Sequence, residues 1–200
     1  IGFFDISVMA VAANTGLFSW VNQIGGTNDE ICNDMDGDAF YLYLVGEYHT
    51  GMNVPGIAAA PANTSDDIYT VSLKNDLGTG QWLSVEATTG ATDARANSIT
   101  IDQASNLWVA AEFDGTVNVN GTFPVATAGN KYLLCLEYDN TGAYQAYYSA
   151  TSGNSINVYD ITSDGSNEIY FATSHFANAT YGLITTTITG SVDGGFEKLG

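Results

Sequence analysis

Positive charge is what this sequence lacks most: four Lys and Arg stand against 22 Asp and Glu, a net charge of −18 at pH 7. Such a chain repels phosphate backbones and anionic lipid, which excludes nucleic acids and membrane surfaces as primary partners. No segment comes near the roughly 18 apolar residues of a membrane-spanning helix, and no basic stretch followed by an apolar one marks a signal peptide. The chain begins at Ile1 rather than Met, which leaves room for a leader or further sequence ahead of it. The only two cysteines, Cys32 and Cys135, lie far apart without a C-x-x-C spacing, so zinc-ribbon and thioredoxin-type sites are excluded. They read as two small buried residues or as one disulfide. Metalloprotease H-E-x-x-H, nucleophile-elbow G-x-S-x-G and a Gly-rich phosphate loop are all missing, and the two histidines, His49 and His175, belong to no catalytic pattern.

Helical periodicity is missing as well. Apolar residues instead alternate or cluster over five to nine positions, as in FSWVNQI (18–24), NSITID (97–102), LWVAAEF (107–113), KYLLCLEY (131–138) and EIYFATSHF (168–176), each bounded by Gly, Asn or Asp. With 45% hydrophobic and 12% aromatic residues there is enough apolar surface for a buried core, so the chain reads as folded and all-β.

The strands recur. DISVMAVAANTGLFSW (5–20) aligns without a gap on DIYTVSLKNDLGTGQW (67–82), an offset of 62 residues, with Asp5/Asp67, Ile6/Ile68, Gly16/Gly78 and Trp20/Trp82 coinciding. A third copy, YLLCLEYDNTGAYQAYY (132–148), keeps the strand, the Gly142 turn and the following strand, and GFEKLG begins a fourth. Each period holds about four strands and one long connection, the pattern of a β-propeller blade. The expected organisation is an N-terminal strand (1–13) that closes or donates to a blade, then units at 14–75, 76–138 and 139–200 within one β domain.

The order Trp, Gly-Gly, Asp, Asp, aromatic strand, long loop, Asp, Leu, Gly, Trp, carried here by Trp20, Gly25, Gly26, Asp29, Asp38, Gly46, Asp67, Leu73, Gly78 and Trp82, resembles the SBBP-type β-propeller repeats of bacterial secreted and cell-surface proteins. The resemblance spans the chain as three units, although the third lacks the Gly-Gly and the Trp. It implies a propeller fold and an extracellular or cell-surface setting, and it implies little about activity.

Propellers close with about four to eight blades, so three units leave a sheet face and strand edges to be covered. A longer chain, or a second copy joined as a homo-oligomer or polymer, would cover them. Residues 1–13 are the candidate donor strand, either to a neighbouring copy by strand addition or to the chain's own last unit.

Three kinds of site are suggested. Asp34, Asp36 and Asp38 alternate in NDMDGD, a spacing that lets carboxylates converge on calcium, although the same residues make an ordinary strand-to-strand turn. Glu47 and Glu112 hold equivalent places in two repeats; paired carboxylates serve glycoside hydrolysis, but repeat-equivalent residues lie on different blades, so no enzyme is expected. Asn63, Asn120 and Asn178 open N-x-[ST] sequons in the long connections. The function expected is a non-enzymatic extracellular structural protein, a surface or filament subunit that self-associates. The alternative is a carbohydrate- or calcium-dependent adhesion module in which exposed aromatic residues meet glycans.

Overall fold

The computed structural model describes residues 4–62, 65–90, 93–127, 129–165, 168–181, 184–186 and 193–199, and the described residues are all-β. Strands β1 (Ile6–Val11) and β2 (Phe18–Ile24) form an antiparallel ribbon. The next four, β3 (Glu30–Gly37), β4 (Tyr41–Tyr48), β5 (Asp67–Lys74) and β6 (Gly80–Thr89), make an antiparallel meander. It is repeated by β7 (Ala94–Ile101), β8 (Leu107–Phe113), β11 (Tyr132–Tyr138) and β12 (Tyr144–Ser152). The last sheet, β13 (Ile156–Ser163), β14 (Ile169–His175) and β17 (Asp193–Leu199), has the same order through its third strand.

Between β8 and β11 the chain makes a hairpin, β9 (Thr116–Val119) and β10 (Phe123–Ala126), that pairs with β6 of the preceding sheet. The short hairpin β15 (Ala179–Tyr181) and β16 (Ile184–Thr186) is added in the same way to β12. Each complete meander thereby becomes a six-stranded sheet whose last two strands come from the next repeat.

The repeat is written even in its irregularities. The first strand of each sheet carries a bulge at the same place, between Cys32 and Asp34, Ala96 and Ser98, and Val158 and Asp160. A second bulge recurs on the fourth strand, where Ser19, Gln81 and Gln145 are the extra residues opposite Ala10/Val11, Ser72/Leu73 and Glu137/Tyr138. An extra residue at a fixed position bends each strand equally, which keeps successive sheets in matching orientation.

The expected units share the period of these sheets but not their phase. The boundaries after residues 13, 75 and 138 fall at the β1–β2, β5–β6 and β11–β12 connections, inside hairpins. The landmarks that define the sequence repeat, the Asp, the turn Gly and the Trp, sit on the hairpin of the third and fourth strands, whereas hydrogen bonding groups strands from the first. Likewise β1 pairs with β2 of its own chain, from Ile6 opposite Ile24 to Val11 opposite Phe18, as the third strand of an incomplete sheet.

Sheets pack face to face. Ile6, Val8 and Ile24 meet Leu44, Tyr69, Val71 and Leu73; Tyr43, Val45 and Ile68 meet Ala96, Ile99, Val109 and Leu136; Trp108, Ala110 and Cys135 meet Val158, Ile161 and Phe171. A sheet covered on both faces needs apolar residues at consecutive positions, which is why β8 is buried along its whole length. Cys32 and Cys135 are free thiols in different clusters.

Tryptophan fastens neighbouring sheets. Trp20 of the ribbon donates its indole N–H to the Asn75 carbonyl at 2.7 Å and lies on Gly78, where a Cβ would come within 2.6 Å of the ring. Trp82 repeats this with the Asn140 carbonyl at 3.3 Å and Gly142, where a Cβ would come within 2.5 Å. Both glycines also have positive φ, 65° and 82°, so they meet two demands that only glycine satisfies. At the corresponding register position of β12 stands Ala146, opposite Glu137 as Trp82 is opposite Ser72.

Candidate functional site

The first strands lie side by side, β3 against β7 and β7 against β13. The edge of β7 therefore offers main-chain N–H groups to β3, and the alternating aspartates of β3 receive them. Asp34 accepts from Ile99 N at 3.0 Å and from the Ser98 hydroxyl at 2.6 Å, while Asp36 accepts from Ile101 N at 3.1 Å. Asp38 turns the other way and closes the β3–β4 connection, accepting from Phe40 N, Tyr41 N and the Tyr43 hydroxyl. The three carboxylates thus serve different donors, and among the described residues no group of three or more His, Cys, Asp or Glu is placed to hold a metal ion. Asn33 and Asn97, the bulge residues, bridge the β3–β7 and β7–β13 seams by donating to the carbonyls of Ala96 and Val158 respectively.

Where the three first strands meet, a cleft of about 420 Å³ opens, lined by Asn33, Glu47, Arg95, Asn97, Glu112 and Tyr159 among others. Its centre is ionic. Glu112, 1% exposed, accepts from Arg95 at 2.7 Å, from Lys131 Nζ at 3.2 Å and from Val158 N at 2.9 Å. Asp93 pairs with the same two cations. Half of the chain's four Lys and Arg are gathered here, on a carboxylate that could not otherwise be buried. Sequence reasoning pairs Glu47 with Glu112 and misses the cluster, because Arg95 lies on β7 and Lys131 just ahead of β11, and no spacing announces them. The signal that could have found it is the scarcity of cations itself.

Glu47 and Glu112 share a wall of this cleft with different surroundings. Burial pushes the Glu47 carboxyl up to about 6; Arg95 opposes this, while Asp66, Asp93 and Glu112 add to it. The folded chain then holds a proton that the unfolded chain releases near 4.5, so this group's contribution to stability is present at low pH and is lost as pH rises through about 6. The unfolding free energy of the wild type minus that of Glu47→Gln is expected to decline across this window and to level off above it. A difference independent of pH would contradict the assignment.

Of the sequon asparagines, Asn120 is exposed at the β9–β10 turn with φ 49°, Asn178 is exposed ahead of β15, and Asn63 lies outside the described residues. No protein-family model matches this chain, and neither does any curated protein.

Proposed function

We propose that this chain is a non-enzymatic structural module of a secreted or cell-surface repeat protein, its sheets the blades of an open β-propeller-type array and its copies joined through the ribbon β1–β2. The observation that carries the reading is a contrast between equivalent positions. Met9 and Val11 are 50% and 49% exposed, whereas Val71 and Leu73, which hold the same register positions one repeat later, are fully buried. Val71 and Leu73 are buried in the cluster that Ile6, Val8 and Ile24 of the ribbon build together with Met52, Val54 and Ala60 of the β4–β5 connection. The ribbon's own outward face, Met9, Val11, Phe18 and Val21, therefore suits a further sheet of this repeat, and a second copy of the chain supplies one. The likeness to SBBP-type repeats, the face-to-face packing and the adjacent first strands support the propeller reading. In an extracellular setting, exposed Asn120 and Asn178 would be acceptors for glycans.

Sedimentation velocity and electron microscopy of the purified chain test this. Oligomers or filaments are expected without added ligand, and Met9→Asp with Val11→Asp is expected to shift them to monomer with an unchanged circular dichroism spectrum. A wild-type chain that stays monomeric at high concentration would sink the reading.

A further inference from the structure

The Gly25–Gly26 segment leads from the ribbon into β3 past two carboxylates, each with one buried oxygen that has no hydrogen-bond partner. Glu30 is 2% exposed; its Oε2 accepts from Gly26 N at 2.8 Å, but its Oε1 is buried without a hydrogen-bond partner. Asp5 accepts from Gln23 through Oδ2, and its Oδ1 is buried and unpartnered as well. The two unpartnered oxygens flank adjacent glycines, Asp5 Oδ1 at Gly25 and Glu30 Oε1 at Gly26. Two acceptors facing each other in a buried place repel unless something positive stands between them.

Main-chain oxygens face the same spot. A Cβ built on Gly26 would meet the Gly51 carbonyl at 2.3 Å, Glu30 Oε1 at 2.8 Å and the Thr50 carbonyl at 3.0 Å, and one built on Gly25 would meet Asp5 Oδ1 at 2.2 Å. Three oxygens thus crowd around one glycine, with a fourth beside its neighbour. An adjoining cleft of about 360 Å³, lined by Asp5, Gln23, Gly25, Gly26 and Asn53, opens this place to solvent.

The next repeat serves as an internal control. Asp67 stands where Asp5 does, but Thr88 replaces Gly26; its N–H donates to Asp67 Oδ1 at 2.8 Å, and its hydroxyl, which donates to the Asp66 carbonyl at 2.6 Å, lies 3.2 Å from the same carboxylate oxygen. Ala94 takes the position of Glu30 at the start of the first strand. In that repeat the carboxylate is satisfied by protein donors and its acidic companion is gone. In the first repeat both the donor side chain and the reason to do without a counter-charge are missing.

We propose that Asp5, Glu30 and the main-chain carbonyls of Thr50 and Gly51 bind a hard divalent cation, calcium in the first instance, with water completing its shell. Calcium takes six to eight oxygen ligands from carboxylates, carbonyls and water, and two carboxylates neutralise its charge. The ion would tie the ribbon to the β4–β5 connection, since Asp5 precedes β1 and Thr50 and Gly51 follow β4. This site is separate from Asp34 and Asp36, which serve the β7 edge, and from Asp38, which closes the β3–β4 connection, and it does not depend on the assembly proposed above.

The test is titration of the full chain with calcium alone by calorimetry, together with thermal unfolding in calcium and in chelator. One binding event is expected, with a Kd on the order of 10⁻⁴ M, and a thermal midpoint raised by calcium and lowered by chelator. Both responses are expected to vanish in Asp5→Asn and in Glu30→Gln, which keep the shape of the side chains, and to survive in Asp36→Asn. Absence of binding and of any midpoint shift at millimolar calcium would overturn the proposal and leave a proton shared between the two carboxyls. Binding that survives Glu30→Gln but is lost in Asp36→Asn would overturn it by moving the ion to β3.

Discussion

Glu112→Ala is expected to destabilise the fold by about 3–5 kcal/mol, the cost of breaking a buried ion pair from one side. The carboxylate sits opposite Arg95 on β7 and opposite Leu133 on β11, and it reaches into the next sheet to accept the N–H of Val158. Its loss leaves Arg95 and Lys131 with Asp93 as their remaining acid partner, and leaves a buried N–H without an acceptor. Glu112→Gln retains an acceptor for Val158 and is expected to lose less. Chemical denaturation checks both: the midpoint should fall with an unchanged m-value, and a loss below about 1 kcal/mol for the alanine variant would show that the cluster is solvated rather than buried.

Trp82→Ala is the second large effect, expected at about 3–5 kcal/mol. The ring fills the space over Gly142 and packs between Tyr43 and Tyr138, with centroids 6.1 and 6.3 Å away. Alanine removes the aromatic surface and leaves the Asn140 carbonyl without its indole donor. Trp82→Phe keeps most of the packing and should cost about 1 kcal/mol, near the net value of the hydrogen bond. Gly142→Ala attacks the same contact from the other side, so the two alanine substitutions combined should cost clearly less than their sum. Strict additivity in that cycle would mean that the ring and the turn are energetically independent.

Much of the strand content was legible because it rests on period and on turn residues. FSWVNQI, LWVAAEF, KYLLCLEY and EIYFATSHF coincide with β2, β8, β11 and β14 to within two residues. The pairing of Trp20 with Trp82, and of Gly16 with Gly78, gave the repeat. Two things were harder to see. The segment NDMDGD reads as an acidic turn, yet Asp34 and Asp36 lie within β3, because their carboxylates serve the edge of a strand more than 60 residues later, a relation that no local pattern encodes. The hairpin β9–β10 lay inside what reads as a loop, although Asn120-Gly121 is a recognised hairpin signal; its strands are only four residues each, too short for alternation to stand out. At the proposed ion site the glycines were legible as a motif, but the two unpartnered carboxylate oxygens beside them come together only once Asp5 and Glu30 are folded against Gly25 and Gly26.

The returning hairpins carry a consequence for how the molecule comes apart. Arrays of stacked repeats lose cooperativity when each repeat holds mostly its own bonds and little is shared across the seam. Here β9 and β10 belong to one repeat by sequence and to the previous one by hydrogen bonding, so melting either repeat strips main-chain partners from the other. At the front of the chain the described residues of the equivalent connection, 49–62 and 65–66, add no strand to the ribbon; they meet it through the bridge between Gly25 and Asn53 and through buried Met52, Val54 and Ala60. The array is therefore knitted by shared main-chain strands where β6 and β12 receive their hairpins. The ribbon is held chiefly by side chains, Trp20 and Asn22 on the β5–β6 turn and the apolar cluster beneath them, so its opening strips few main-chain bonds from the rest.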